Sequence, residues 1–169
     1  MSNVGTQLEL HIASLRRYAR ALLRDRNEAD DLVQECLARA LSRTDRFKEG
    51  TNLRAWLFTI MHNVHVNQVR QKIARPAEVG VDDVELRMVT PAVQEQRIEL
   101  RDMQRAVGEL PEEQRRVLLL VALEGMKYEE VAEVLGIPVG TVMSRLSRAR
   151  EAVRLKVSNQ GGVPLRRVK

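Results

Sequence analysis

Apolar residues recur every three to four positions along most of this chain, the spacing of amphipathic helices. The first helical pattern runs from about Leu8 to Leu23, Asp25-Arg26-Asn27 reads as a turn, and a second helix starts at Asn27 or Glu28 and continues to about Ser42. Residues 43–52 break the periodicity with a polar loop that carries one aromatic, Phe47, and a turn-permitting Gly50. A long helix is predicted over about 53–73. From 76 to 93 the chain has two prolines, one glycine and an Asp82-Asp83 pair with no sustained period, so this stretch reads as a flexible linker. Pattern resumes at about Gln94 with a helix to Gly108, followed by one that has Pro111 and two acids in its first turn and ends near Gly125. Two short helices follow, and the tail 161–169 is basic and reads as disordered. The expected fold class is all-α, two small helical domains joined by a flexible linker, with the second containing a helix-turn-helix.

The helix-turn-helix is the most informative piece. Tyr128, Val131, Ala132 and Leu135 form one stripe, Gly136 suits the left-handed residue that ends a helix, and Val142, Leu146, Ala149 and Val153 form a second stripe. At roughly 100° per residue, the side opposite the second stripe carries Gly140, Ser144, Ser147, Arg148 and Glu151, flanked by Thr141, Arg145 and Met143. In such motifs the N-terminal part of the second helix enters the major groove, where arginine reads guanine edges and hydroxyls contact bases or phosphates. An αα-hairpin with a solvated basic face is the alternative; the turn, the small Gly140 and the clustered arginines favour DNA.

Two further faces stand out. On the long helix, Leu53, Leu57, Ile60, Met61, Val64 and Gln68 share the core side, while Trp56, Thr59, Asn63, Asn67 and Arg70 form a separate stripe of one aromatic, amides and a cation. Such a stripe can stack and hydrogen-bond unpaired nucleotides, with Arg54, Lys72 and Arg75 attracting phosphates. On the second helix, Leu32, Val33, Cys36, Leu37, Ala40 and Leu41 are apolar and leave Asp31, Gln34, Glu35 and Ala38 outward. That acidic face is unsuited to nucleic acid and suits a basic protein surface.

Charge sharpens this picture. The 28 Lys and Arg against 23 Asp and Glu are unevenly placed: 13 basic and 8 acidic in 1–75, 3 and 7 in 76–103, 12 and 8 in 104–169. Two basic lobes around an acidic connector suit a polyanion held at two places. The lone Cys36 allows no internal disulfide and sits among core positions. His62 and His65 lack a third ligand at useful spacing, so they are expected to face solvent or DNA and not metal. No phosphate loop, nucleophile elbow or paired carboxylates occur, so no catalytic residue, cofactor or metal is expected. No apolar run reaches the ~20 residues of a membrane span and no signal-peptide core opens the chain, so a soluble, cytoplasmic protein is expected.

The stretches Asp30-Asp-Leu-Val-Gln-Glu35, Thr51-Asn-Leu-Arg-Ala-Trp-Leu-Phe-Thr-Ile-Met-His-Asn63, Leu110-Pro-Glu-Glu-Gln-Arg115 and Tyr128-Glu-Glu-Val-Ala through Pro138-Val-Gly-Thr-Val to Arg150 together resemble the extracytoplasmic-function (ECF, group IV) RNA polymerase sigma factors. The resemblance spans nearly the whole chain. It implies a region 2 domain at 1–75, a linker at 76–93 threading through the polymerase near the RNA path, a region 4 domain at 94–160 and a basic tail at 161–169. Asp31, Gln34 and Glu35 would then dock on the β′ clamp helices of core RNA polymerase, and region 4 would sit by the β flap. The 43–52 loop, with Phe47, Lys48, Thr51 and Asn52, would capture a base flipped from the minus-10 element of promoter DNA, and Trp56, Asn63, Asn67 and Arg70 would hold the melted strand. Thr141, Ser144, Arg145, Ser147 and Arg148 would read the minus-35 element. Family members often carry Lys or Arg where this chain has Met143. The run Arg17-Tyr-Ala-Arg-Ala-Leu-Leu-Arg-Asp-Arg with Thr51-Asn-Leu-Arg-Ala-Trp is similar to the alphaproteobacterial general-stress subfamily, which implies regulation by a small anti-sigma protein.

Two other classes compete. A free-standing helix-turn-helix regulator would use 128–150 and leave the Trp56/Asn63 stripe and the acidic helix without a role. A sigma mimic, binding an anti-sigma protein without DNA, would have an eroded recognition helix, whereas Ser144, Arg145 and Arg148 are present.

Overall fold

A computed structural model of the chain describes residues 3–75 and 94–160, and every extended element among them is helical. The expected linker and tail lie outside the described residues. Helix α1 (Val4–Leu22) begins four residues before the sequence pattern suggested because Val4 also enters the core. Helix α2 (Arg26–Ser42) starts where the Asp25 carboxylate accepts the N–H groups of Asn27 at 2.8 Å and Glu28 at 3.2 Å. Helix α3 (Leu53–Ala74) is capped in the same way by Asn52, whose side chain accepts the Ala55 N–H.

These three helices close on Leu15, Leu32, Leu57, Phe58, Met61 and Val64, all essentially without exposure. Tyr18 and Phe58 meet edge to face with centroids 5.3 Å apart, a favoured aromatic geometry. Cys36 is buried here and its S–H points to the Leu57 carbonyl; burial pushes the thiol up to about 12, so it is an inert core residue. One expected core position fails. Leu41 is 57% exposed, because nine residues bring it roughly half a turn around the helix from Leu32, and the helix ends one residue later.

The second group comprises α4 (Gln94–Gly108), α5 (Glu112–Leu118), α6 (Tyr128–Leu135) and α7 (Val139–Gln160). The helix expected to run to Gly125 loosens after Leu118 into a π-helical turn, Leu119–Leu123, where the Glu124 N–H reaches the Leu119 carbonyl five residues back. Gly125, at φ 64, then reverses the chain. Gly136, at φ 65, ends α6: its N–H bonds to Glu133 O while the Ile137 N–H bonds to Ala132 O, a Schellman turn that a side chain would strain. Val131, Val142, Leu146, Ala149 and Val153 are buried, so both predicted stripes of the helix-turn-helix face inward.

The two groups pack on each other, and their buried apolar residues form one continuous cluster. Helix α6 lies on α3, and the π-helical turn lies on α1. Polar contacts cross the boundary throughout: Arg24 donates to Gly108 O at 2.9 Å, Arg115 to Leu22 O at 3.1 Å and Asn52 to Glu130 at 2.7 Å.

Candidate nucleic-acid and polymerase interfaces

The geometry of α7 follows from its register. With Val142, Leu146 and Ala149 buried, Ser144, Ser147 and Arg148 are fully on the solvent side, and Thr141 is half-buried. The Ser144 hydroxyl donates back to Thr141 O at 3.2 Å. Arg148 makes no ion pair among the described residues, whereas Arg145 leans toward α5 and lies 3.4 Å from Glu113. Met143 is 52% exposed beside them. The outward surface opposite the buried stripe therefore presents the Ser144 and Ser147 hydroxyls and the Arg148 guanidinium, groups that suit base edges and phosphates.

The 43–52 loop is built to hold its shape. A 3-10 turn, Thr44–Arg46, leads to Phe47; the Thr51 hydroxyl bonds to Lys48 O at 2.6 Å, and Gly50 takes φ 82. Phe47 and Trp56 meet with ring centroids 5.2 Å apart, so the loop and α3 share one aromatic step. Beside it opens a cavity of about 410 Å³ lined by Phe47, Glu49, Gly50, Thr51 and Leu53 together with Asn3, Val4 and Gln7. That volume lies within the range of small-ligand sites, ~300–1,000 Å³. Lys48, in the same loop, is exposed. Further along α3, Asn63, Asn67 and Arg70 are exposed, while the Thr59 hydroxyl is turned back to Ala55 O at 2.8 Å.

Two expected phosphate attractors are placed elsewhere. Arg54 lies two residues before Trp56, roughly 200° around the helix, and is bound to Glu124 on the opposite side. Lys72 is paired with Glu28. The histidines also depart from expectation. His65 is 4% exposed and pairs with Glu112 of α5, and His62 is half-buried with its Nδ1 unpartnered among the described residues. Burial, aided by Arg116 and His65 and opposed by Glu112, pushes His62 down to about 4, so it is neutral near pH 7. Both face the second group of helices, where Glu112 and Arg116 of α5 approach that side of α3, a contact no helical period announces.

On α2, Asp31 and Gln34 are exposed; Glu35 is half-buried and accepts from Arg39 at 2.7 Å one turn on. Asp31, Gln34 and Glu35 thus share one outward, predominantly acidic face.

Residues 8–62 match the family described as the Sigma2 domain of PhyR, and residues 100–153 match region 4 of Sigma-70. Over 139 residues the chain is 39% identical to the ECF RNA polymerase sigma factor EcfG of Rhodopseudomonas palustris (strain TIE-1), covering 82% of this chain and 76% of that protein. The chain belongs to the ECF RNA polymerase sigma factors. This ECF sigma factor is also 33% identical over 141 residues to the sigma-E factor of Escherichia coli (strain K12), covering 77% and 74% of the two chains. Among solved structures it superposes with a TM-score of 0.75 on the sigma factor RpoE of Bartonella quintana in complex with the anti-sigma factor NepR, at 29% identity over 94% of this chain and 98% of the other. CnrH in complex with the cytosolic domain of CnrY gives a TM-score of 0.68 at 28% identity, over 92% and 87% of the chains. The sigma2 match covers most of α1 to α3, and the region 4 match contains the helix-turn-helix.

Sequence reasoning missed Glu124 and Glu112 in this ECF sigma factor. Glu124 is a lone acid directly after the apolar run Val117–Leu123, and an acid at the end of seven apolar residues is the signal that could have flagged it.

Proposed function

We propose that this chain directs core RNA polymerase to the promoters of a stress response, with the residue roles divided between its two domains as follows. Ser144, Ser147 and Arg148 read the minus-35 duplex, with Thr141 and Arg145 at its border. Phe47, Lys48, Trp56, Asn63, Asn67 and Arg70 receive the minus-10 strand. Asp31, Gln34 and Glu35 dock on the β′ clamp helices. The observation that carries this reading is the cavity lined by Phe47 beside the Phe47–Trp56 pair, with Lys48 exposed in the same loop and Asn63 and Asn67 exposed on the helix that carries Trp56. A base flipped out of a duplex costs a few kcal/mol, which stacking and polar contacts to the extruded base offset.

The boundaries that go with this reading are 1–75 for region 2, 76–93 for the linker and 94–160 for region 4. The protein acts by binding and hydrolyses nothing. It works in the cytoplasm with the polymerase, and no described helix is long and apolar enough to cross a membrane. Its likeness to EcfG and to the sigma factor bound to NepR supports the general-stress subfamily, with an anti-sigma protein as regulator.

A second reading is favoured by one observation, the match of residues 8–62 to the sigma2 domain of PhyR: the chain would be a mimic that binds an anti-sigma protein without binding promoters. The exposed, hydroxyl- and arginine-bearing face of α7 argues against it. Run-off transcription with purified core polymerase over a genomic promoter library separates the two. New start sites that require this protein, with shared upstream sequences, support the sigma reading; binding to core without transcripts supports the mimic.

A further inference from the structure

The packing of the two domains leaves the nucleic-acid surfaces open. Asn63, Asn67 and Arg70 are exposed, and so are Ser144, Ser147 and Arg148. What packing fixes is their separation. Elements named minus-10 and minus-35 lie about 25 base steps apart, or ~85 Å of duplex at 3.4 Å per step. A compact chain of this length has a radius of gyration of about 15 Å. One closed body therefore cannot reach both elements, and a chain that reads both has to separate its domains.

Among the polar contacts that join them on top of the shared apolar cluster, one is made by a fully buried carboxylate. The Glu124 side chain has no exposed surface. Arg17 of α1 grips it with both ends of its fork, Nε to Oε1 at 3.0 Å and Nη2 to Oε2 at 2.8 Å. The Ser14 hydroxyl donates to Oε2, and Arg54 of α3 reaches the same oxygen at 3.1 Å as well as the Glu124 backbone carbonyl. The π-helical turn is what aims this residue: it adds one residue to the helical repeat just before Glu124, and Gly125 turns the chain away just after it.

We propose that Ser14, Arg17 and Arg54 form a carboxylate-binding site on the first domain that Glu124 of the second fills, and that this contact is a latch holding the sigma factor in a closed form unable to span a promoter. The latch rests on the sigma reading for its purpose but not for its existence. A buried charge that loses one partner is strongly disfavoured, so the contact is close to all-or-none. Arg17 is 53% exposed, which moderates the effect.

The test is small-angle scattering of the full chain, wild type against Glu124→Gln, Arg17→Gln and Arg20→Gln, with helix content followed by circular dichroism. Arg20 lies one turn along α1 and meets Asp30 instead. The expected result is that E124Q and R17Q both expand the chain at unchanged helix content, with the closed-to-open ratio falling about ten- to hundred-fold, while R20Q stays compact. Compact E124Q and R17Q chains, or an equal expansion in R20Q, would overturn the latch. Should E124Q lose helix content, R17Q decides alone, since its exposed side chain is dispensable to the core. Scattering needs neither polymerase nor DNA, so the latch can fail while the sigma assignment stands, and run-off transcription can fail while the latch stands.

Discussion

The Asn52 amide serves two helices at once: its Oδ1 accepts the Ala55 N–H at 3.1 Å and so caps α3, while its Nδ2 donates at 2.7 Å to Glu130, whose other oxygen accepts the Lys127 N–H and caps α6. The loop proposed to hold the minus-10 base is thereby joined to the first helix of the helix-turn-helix. Asn52→Ala removes the cap and the join together and is expected to cost about 1 kcal/mol in urea unfolding. Asn52→Asp keeps an acceptor for the Ala55 N–H but sets a carboxylate against Glu130. It is expected to retain α3 and weaken the packing of α6 on it, seen as faster amide exchange in Lys127 to Val131. Equal losses in both variants, with no change in exchange, would mean the cap alone matters.

Arg148 is an exposed guanidinium on the outward side of α7 with no ion partner among the described residues, so it is free to reach a guanine. Arg148→Ala is expected to weaken binding to a minus-35 duplex by about 1–3 kcal/mol and to relax preference at one base position. Arg145→Ala should cost less, since that side chain already leans on Glu113. Competition binding against single-base promoter variants separates this from a phosphate contact, which would weaken all sequences alike and lower the salt dependence.

Asn63 lies on the exposed stripe of α3, far from α7 in role. Asn63→Ala is expected to leave duplex binding by the second domain intact and to reduce strand opening several-fold, read as lost permanganate reactivity of minus-10 thymines. Trp56→Ala should do the same and also loosen the loop, because Phe47 loses the ring it packs on. Normal opening with weakened duplex binding in N63A would reverse the proposed division of labour.

These faces were legible in the sequence for a physical reason: each lies on one helix, and a helix maps spacing onto direction. The burial of Val142, Leu146, Ala149 and Val153 and the exposure of Ser144, Ser147 and Arg148 follow from that alone. The same rule misplaced Leu41, which a short apolar run assigns inward although the helix has already turned it out. What could not be read are contacts between helices distant in sequence. Arg54 was expected among phosphate attractors, and only the docking of the second domain shows it on Glu124, seventy residues on. His62 and His65 were expected toward solvent or DNA for the same reason. The π-helical turn was also hidden, since a run of seven apolar residues has no period from which an inserted residue could be seen.

The domain interface carries its own pH dependence, through groups pushed down for different reasons, His62, His11, Glu124 and Glu112 among them. His62 is pushed down to about 4, first by burial, then by Arg116 and His65, with Glu112 opposing. His11 is lowered by burial and by Arg54. Glu124 would be raised by burial alone, but the bonds from Arg17 and Ser14, the Arg17 charge and the bond from Arg54 hold it below the usual carboxylate range. A histidine lowered in the folded state binds fewer protons there than when unfolded, so its share of stability is intact above about pH 6.5 and declines as pH falls toward its folded value. A lowered carboxylate keeps its share above about pH 4.5 and loses it below. Unfolding free energy is therefore expected to fall in two stages on acidification, the first between about pH 6.5 and 4, where His62 contributes at most about 1.4 kcal/mol per pH unit. The second sets in below about pH 4.5, when protonation of Glu124 releases Arg17 and Arg54. Urea unfolding from pH 7.5 to 3.5 should show both in the wild type. His62→Gln should flatten the first stage except for the part due to His11, and Glu124→Gln should diminish the second, leaving the share of Glu112, which is also held low. An H62Q profile parallel to the wild type across pH 6.5 to 4.5 would mean that His62 takes up its proton without disturbing the contact between α5 and α3.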